Sequence, residues 1–454
     1  MERQAVLVLN TAHLDAMVIR GGRVIDAAAG RDEIADVFIA DGVIVAAPRR
    51  NVFVLDATGL IVCPGLMDLH VHLREPGQSH KETIETGTAA AAAGGFTFVA
   101  CMPNTQPPLD TPDTVRWVIE RSREADHCEV APVAAITKER RGRELTDFAA
   151  LLSAGGAALS DDGTGVDDDA VMRSAFERAS ELDALLIQHC EYKAISAGGV
   201  MHLGDVSRRL GLVGLDPRSE EAMIERDIDL CRRTGGRYHV AHISTAKAID
   251  LVRRAKSEGL PVTAEVCTHH LMLTDVACAN ADPNTKMHPP LRPQSDVEAC
   301  RRGLLDGTID CIVTDHAPHT AEEKSAGFLK APAGIVGLET AVGIAAKAMI
   351  APSDSPLFKG GQRGVVDWPR LLSWLTTGPA RVLKRRPTSI DIGARVGLTM
   401  IDPLHPWTVN SRQFHSKGHN TPFDGWTLTG RAVGTVRGRQ VIRLLTDPRT
   451  NSNS

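Results

Sequence analysis

The strongest constraint on how this chain folds is a rhythm. From about residue 61 onward, short apolar runs alternate with stretches of helical period. Helix-period segments at 81–93, 170–182, 219–233, 246–257 and 295–305 feed apolar runs at 96–100, 184–189, 238–242, 262–266 and 309–315. Strands and helices alternating at this length build a parallel sheet with covering helices, either a barrel or a doubly wound sheet. A glycine-rich dinucleotide or phosphate fingerprint is absent, which favours the barrel. The expected fold class is α/β, a (β/α)8 TIM-like barrel spanning residues 61–385.

The flanks have another character. Residues 17–60 break into short β-rich runs around Gly21-Gly22 and Asp41-Gly42, and an Asp-Gly pair between such runs is a strong hairpin signal. A Pro-, Gly- and Ser-rich loop at 350–367 and a helix at 368–383 close the α/β part, and the chain then returns to short strands with glycine turns. The two ends, 17–60 and 386–454, are therefore expected to build one small composite β domain beside the barrel. Residues 1–16 lack a sustained period and are expected to form a loosely attached N-terminal extension.

The 454 residues carry a net charge of -5 with acidic and basic groups well mixed, which argues against a nucleic-acid or membrane surface as partner. Short basic clusters (Arg140, Arg141, Arg143; Lys384, Arg385, Arg386) are explained as solvated faces. The nine cysteines form no CxxC pair, as expected of free thiols in a reducing cytoplasm. The N-terminal apolar run lacks a signal-peptide pattern, and no run approaches the ~20 apolar residues of a membrane span. The expected location is cytoplasmic.

Chemistry collects where the apolar runs end. After Pro64-Gly65, His70 and His72 lie two apart, so on a strand both imidazoles project from one face. An isolated His-X-His is more often a pair of core histidines. Here Asn104, Asp162, His189, His242, Asp315, His316 and His319 also follow apolar runs, and in a barrel those ends share one mouth. Four imidazole nitrogens and two carboxylates suit two Zn(II)-like ions, with one carboxylate able to bridge.

Three stretches, His70-Val71-His72-Leu73-Arg74-Glu75-Pro76-Gly77, Met102-Pro103-Asn104-Thr105 and Thr314-Asp315-His316-Ala317-Pro318-His319, resemble the dihydroorotases of the bacterial type I branch of the amidohydrolase superfamily. The resemblance runs from about Met17 to the C-terminal strands. It implies a (β/α)8 barrel, a composite β domain, and reversible closure of N-carbamoyl-L-aspartate to dihydroorotate in pyrimidine biosynthesis. It implies two zinc ions, the first on His70, His72 and Asp315, the second on His189 and His242. Many relatives bridge such ions with a carboxylated lysine; the stretch here, Ala157 to Gly163, has none, and the resemblance implies Asp162 in that place, with Asp161 the alternative.

By the same resemblance Asp315 is the catalytic proton carrier, between the attacking oxygen and the ring nitrogen. Arg74 is the cationic fork for a substrate carboxylate. His72, Asn104, His319 and the backbone at Ala333-Gly334 are further substrate contacts. Two positions depart from the family pattern. His288 stands in Lys286-Met287-His288-Pro289-Pro290 where an asparagine is usual, and Ala333 stands where an aromatic is usual. Imidazole cannot offer the paired donor and acceptor of an amide. His239, His269, His270 and His316 are expected to be core or supporting residues.

Two other readings stand beside this one. A hydantoinase- or allantoinase-like cyclic amidohydrolase is kept open by His288. A non-catalytic dihydroorotase-like subunit that scaffolds aspartate transcarbamoylase should have lost ligand-type residues, which are all present here. Expected partners are the small-molecule substrate, a homo-oligomer and aspartate transcarbamoylase.

Overall fold

Two eight-stranded sheets organise the chain, one closed around the molecule's centre and one joining its two ends. The structure is a computed structural model and describes residues 16–47, 52–350 and 365–444. The expected extension at 1–16 thus lies outside the described residues except for Ala16, and so does most of the loop expected at 350–367.

The first strands are β1 (Ala16–Asp26), β2 (Arg31–Ala40), β3 (Val43–Val45), β4 (Phe53–Asp56) and β5 (Ile61–Pro64). Asp41 and Gly42 join β2 to β3 with φ of 52° and 74°, the pair of positive values that a two-residue hairpin requires. Gly21-Gly22 is not the turn its sequence suggests. It is an irregularity inside β1, where the register against β2 shifts between Ile19 and Gly22. The kink lets one long strand pair along its other edge with β4 in its first half and β5 in its second. A local glycine signal cannot reveal partners that lie thirty or more residues away.

The barrel strands are β6 (Leu66–Val71), β7 (Phe96–Cys101), β8 (Glu129–Ala134), β9 (Ala158–Leu159) and β10 (Leu185–Gln188). A side pair, β11 (Met201–His202) and β12 (Gly214–Leu215), precedes β13 (Arg237–Val240), β14 (Val262–Cys267) and β15 (Cys311–Val313). Barrel neighbours pair in parallel in the order β15-β14-β13-β10-β9-β8-β7-β6. The ring closes where Val71 bridges His316 and the His72 N–H donates to His316 O at 2.8 Å. This is the expected (β/α)8 barrel. Its first strand begins at Leu66 and not at 61, because Ile61–Pro64 pairs with β1 and with the C-terminal strand β16 (Gly397–Asp402). The Pro64-Gly65 corner between the sheets must be glycine: a Cβ on Gly65 would lie 2.0 Å from Thr97 Oγ1.

Met67, Leu69, Phe98, Val133, Ile187 and Val313 fill the barrel interior, and a larger apolar layer packs strands against helices. Each such side chain contributes about 1.5–3 kcal/mol by leaving water. The helix expected from 81 starts at Ile84, because Thr83 caps it and Thr86 completes the capping box. The helix expected over 368–383 divides at Thr376 into Trp368–Leu375 and Thr377–Val382.

After β16 come the pair β17 (Trp407–Thr408) and β18 (Thr427–Leu428), then β19 (Arg431–Arg437) and β20 (Gln440–Leu444). β16 lies antiparallel to both β5 and β19, so strands from the two ends of the sequence form one sheet. The nine cysteines are buried and unpaired. Among the described residues no helix is long and apolar enough to cross a membrane.

Candidate active site

The polar residues that close the apolar runs meet at one end of the barrel because each follows a strand whose neighbour is parallel. Asp68, inside β6, draws the first and last strands together: its carboxylate accepts from Thr314 N at 3.1 Å and Thr314 Oγ1 at 2.6 Å. It also accepts from His70 N at 3.0 Å. Burial raises its pKa to about 7 against the pull of these donors. His70 and Asp315 are thereby held on adjacent strand ends.

Asp162 stands at the centre. Its Oδ1 lies 3.3 Å from His70 Nε2, 3.7 Å from His189 Nδ1 and 3.7 Å from His242 Nε2. Its Oδ2 lies 3.6 Å from His72 Nε2. Asp315 Oδ1 is 3.0 Å from His72 Nε2 and 3.8 Å from His70 Nε2. His189 Nδ1 and His242 Nε2 are 2.9 Å apart. Asp161, by contrast, turns away to accept from Thr137 N at 3.0 Å and from the Thr137 hydroxyl. The geometry thus brings Asp162, and not Asp161, among the four imidazoles.

The outer nitrogens fix the tautomers. His70 Nδ1 lies 2.7 Å from Glu265 Oε1, and His72 Nδ1 lies 2.8 Å from Asn104 Oδ1. Each ring donates to its oxygen acceptor from Nδ1, which turns Nε2 toward Asp162 and Asp315. His70 Nε2 and Asp162 Oδ1 are buried without a hydrogen-bond partner despite their closeness. Buried orphaned acceptors of this kind cost about 1–3 kcal/mol unless a positive centre satisfies them. The groups His70, His72, Asp162 and Asp162, His189, His242 each bring ligand atoms close enough for one ion. The donor set fits a divalent metal ion.

The electrostatics agree. Burial opposes charge on His70, but Asp162 and Glu265 outweigh it and raise its pKa well above the usual imidazole value. Burial likewise opposes ionisation of Asp162 and Asp315, yet the surrounding histidines hold both well below the usual carboxylate range. Carboxylates that stay ionised this deep surround a point that favours positive charge. His189 is pushed the other way, to about 3, by burial and then by His242 and His288.

Above this cluster opens a cavity of about 300 Å3, lined by all the expected substrate contacts: His72, Arg74, Asn104, His288, His319, Ala333 and Gly334. Arg74 is buried, donates from Nε to Pro318 O at 3.2 Å, and brings Nη2 within 3.2 Å of His319 Nε2. Asn104 Nδ2 donates to Asp162 Oδ2 at 3.3 Å. His288 Nε2 lies 2.9 Å from Glu191 Oε2, and its ring stacks on His189 with centroids 4.9 Å apart. Arg74, His242 and Asp315 hold left-handed backbones, with φ of 64°, 32° and 48°. Such conformations cost about 1–3 kcal/mol each in non-glycine residues and gather where side-chain placement matters more than local comfort.

Of the histidines expected to support the site, His239 Nε2 lies 3.1 Å from Glu265 Oε2, and His316 Nε2 lies 3.4 Å from Glu82 Oε2. Glu265, Glu191 and Arg140, whose Nη2 donates to Asp162 O, were not expected at the site. Glu265 and Asp68 did carry a signal, an acidic residue inside an apolar run, which is rarely buried without a partner.

A (β/α)8 barrel with paired His and Asp groups at the strand ends defines an amidohydrolase-type barrel. Comparison with known proteins narrows this. A family model described as dihydro-orotase-like matches residues 59–248. A dihydroorotase of Pelotomaculum thermopropionicum is 46% identical over 430 residues, covering 94% of this chain and 98% of that protein. One of Solibacter usitatus is 45% identical over 92% of this chain and 96% of that protein. The chain belongs to the dihydroorotase family. Among solved structures, the L-hydantoinase (dihydropyrimidinase) of Arthrobacter aurescens superposes with a TM-score of 0.81 at 22% identity, over 95% of this chain and 96% of that one. That likeness concerns the fold.

Proposed function

We propose that this protein is a dinuclear zinc dihydroorotase that interconverts N-carbamoyl-L-aspartate and dihydroorotate in pyrimidine biosynthesis. The observation that carries the reading is Arg74, a buried guanidinium lining the same cavity as the His/Asp cluster. A fixed cation beside a hydrolytic centre suits a ring that bears a carboxylate. Dihydroorotases aligned along nearly the whole chain support it.

In this reading His70, His72 and Asp315 would hold one ion and His189 and His242 the other, with Asp162 as a further ligand. Metal bound there would supply Lewis acidity for the ring carbonyl and would lower the pKa of water. In ring opening, the oxygen of water joins the carbonyl carbon and the ring C–N bond breaks. Asp315 accepts the water proton and delivers it to the departing nitrogen; ring closure runs the same transfers backward. Arg74 pairs with the substrate carboxylate, and Asn104, His319 and the Ala333-Gly334 backbone fix the ring. His288, paired with Glu191, contacts the ring where an amide is usual. We place the enzyme in the cytoplasm as a homo-oligomer, with aspartate transcarbamoylase as an expected partner.

The test is turnover of dihydroorotate, hydantoin and allantoin by zinc-loaded protein. Ring opening of dihydroorotate alone is expected. Turnover of hydantoin or allantoin alone reassigns the substrate, and turnover of none removes the enzymatic reading.

A further inference from the structure

Two lysines beside the cavity are buried without a carboxylate partner. Lys286 and Lys324 are 9% and 6% exposed, and among the described residues neither forms an ion pair. Lysine is rarely buried this far unless its ammonium is satisfied. Each ammonium instead collects two backbone carbonyls from one segment. Lys286 Nζ donates to Leu329 O at 3.0 Å and Ala331 O at 2.7 Å. Lys324 Nζ donates to Pro332 O at 2.9 Å and Gly334 O at 3.0 Å.

The segment so held ends in the two residues that line the cavity, Ala333 and Gly334. It is fixed further by Gly334 N donating to Lys286 O at 2.9 Å, and Asn420 Nδ2 reaches Gly334 O at 3.0 Å. Gly334 adopts φ 124°, and a Cβ there would lie 2.7 Å from Ala317 Cβ, so the strap seats closely on the loop that follows β15. Lys286 stands two residues before His288, and Lys324 follows His319 in the next short helix, Ala321–Ser325. The clamp therefore ties three cavity-lining segments into one unit. It also turns partly negative carbonyl oxygens onto cations, where they do not oppose a substrate carboxylate paired with Arg74.

We propose that Lys286 and Lys324 are positioning residues that clamp the 329–334 strap and thereby set affinity for the anionic substrate, leaving the rate of the chemical step to the metal-ligand cluster. The proposal rests on the dihydroorotase reading above. Burial, with Lys286 alongside, lowers the Lys324 pKa to about 8, while Asp282 and Glu323 pull it upward.

The experiment compares zinc-loaded wild type with Lys286→Met, Lys324→Met and Lys324→Arg. Each Met variant should raise KM for dihydroorotate about tenfold while kcat and zinc content change less than about threefold; that split marks lost substrate binding without lost chemistry. Lys324→Arg, which keeps charge and donors, should fall between wild type and Lys324→Met. An unchanged KM, or a fall in kcat alone, overturns the proposal. An inert wild type instead overturns the dihydroorotase reading, and this proposal with it. Should the Met variants fail to fold, hydrogen exchange on wild type decides: after correction for intrinsic rates, protection of the 329–335 amides should fall between pH 7 and 9 as Lys324 discharges (Lys286, Asp282, Glu323 and His319 face it). Constant protection overturns the clamp.

Discussion

Glu265 accepts from His70 on one oxygen, at 2.7 Å, and meets His239 on the other, at 3.1 Å. Despite burial it is held at a pKa of about 2 by His70 and His239. A carboxylate behind a ligating histidine fixes its tautomer and raises its basicity, and loss of such a partner typically weakens metal binding about 10–100-fold. Glu265→Gln should therefore lower zinc affinity by about that factor with the fold intact, as measured by chelator competition; unchanged affinity would remove the supporting role. Residues at strand ends were legible in the sequence, because polarity there interrupts an apolar run: His70, His72, Asp162, His189, His242 and Asp315 all converge. Glu265 was not assigned to the site, although an acidic residue inside an apolar run was a signal for it. Nor was Glu191, whose partner His288 lies 97 residues away.

At the scale of elements, the loop after β13 that carries His242 rests on a buried ionic network. Glu220 Oε1 accepts from Ser244 N at 2.9 Å and Thr245 N at 3.2 Å, and its Oε2 pairs with Arg292 Nη2 at 3.0 Å. Arg292 Nε donates to Ser244 Oγ at 3.0 Å. The network joins the helix Arg218–Thr234, the His242 loop and the loop following His288. Removing one partner of such a pair strands the other charge in the interior, so Glu220→Ala should destabilise the protein by about 3–5 kcal/mol. Urea denaturation measures it, and a loss below about 1 kcal/mol would show the pair to be no stronger than a surface one. Element types were readable from periodicity, while boundaries and kinks were not. Thr83 moves a helix start, Thr376 divides a helix, and Gly21-Gly22 bends a strand that its sequence would end. At Thr83 a cap, and at Gly21-Gly22 distant partner strands, override the local pattern.

At the scale of the whole molecule, the barrel rests on a sheet built from both ends of the chain. β16 inserts between β5 and β19, and Thr399 and Thr435 hydroxyls donate to Gly95 O and Ala92 O beside the start of β7, at 2.6 Å and 2.7 Å. The shared character of the two ends was visible in the sequence, but the pairing of β5 with the second sheet was not, because its apolar run continues into β6 across Pro64-Gly65. Deleting residues 389–454 would bare the edge of β5 and the apolar face around Val62, and exposed apolar edges aggregate. The truncated chain should be insoluble or aggregated by light scattering; a monodisperse product with the barrel's native circular dichroism would show the sheet to be dispensable.

In the proposed function the His/Asp cluster opens and closes the dihydroorotate ring with Asp315 carrying the proton. The direct measurement is the rate of dihydroorotate hydrolysis by zinc-loaded wild type beside Asp315→Asn, each checked for fold by its thermal melt. Wild type should turn over, and the variant should lose at least about a hundredfold in kcat, the contribution expected of a lost general acid–base. Equal rates in the two proteins would contradict the account.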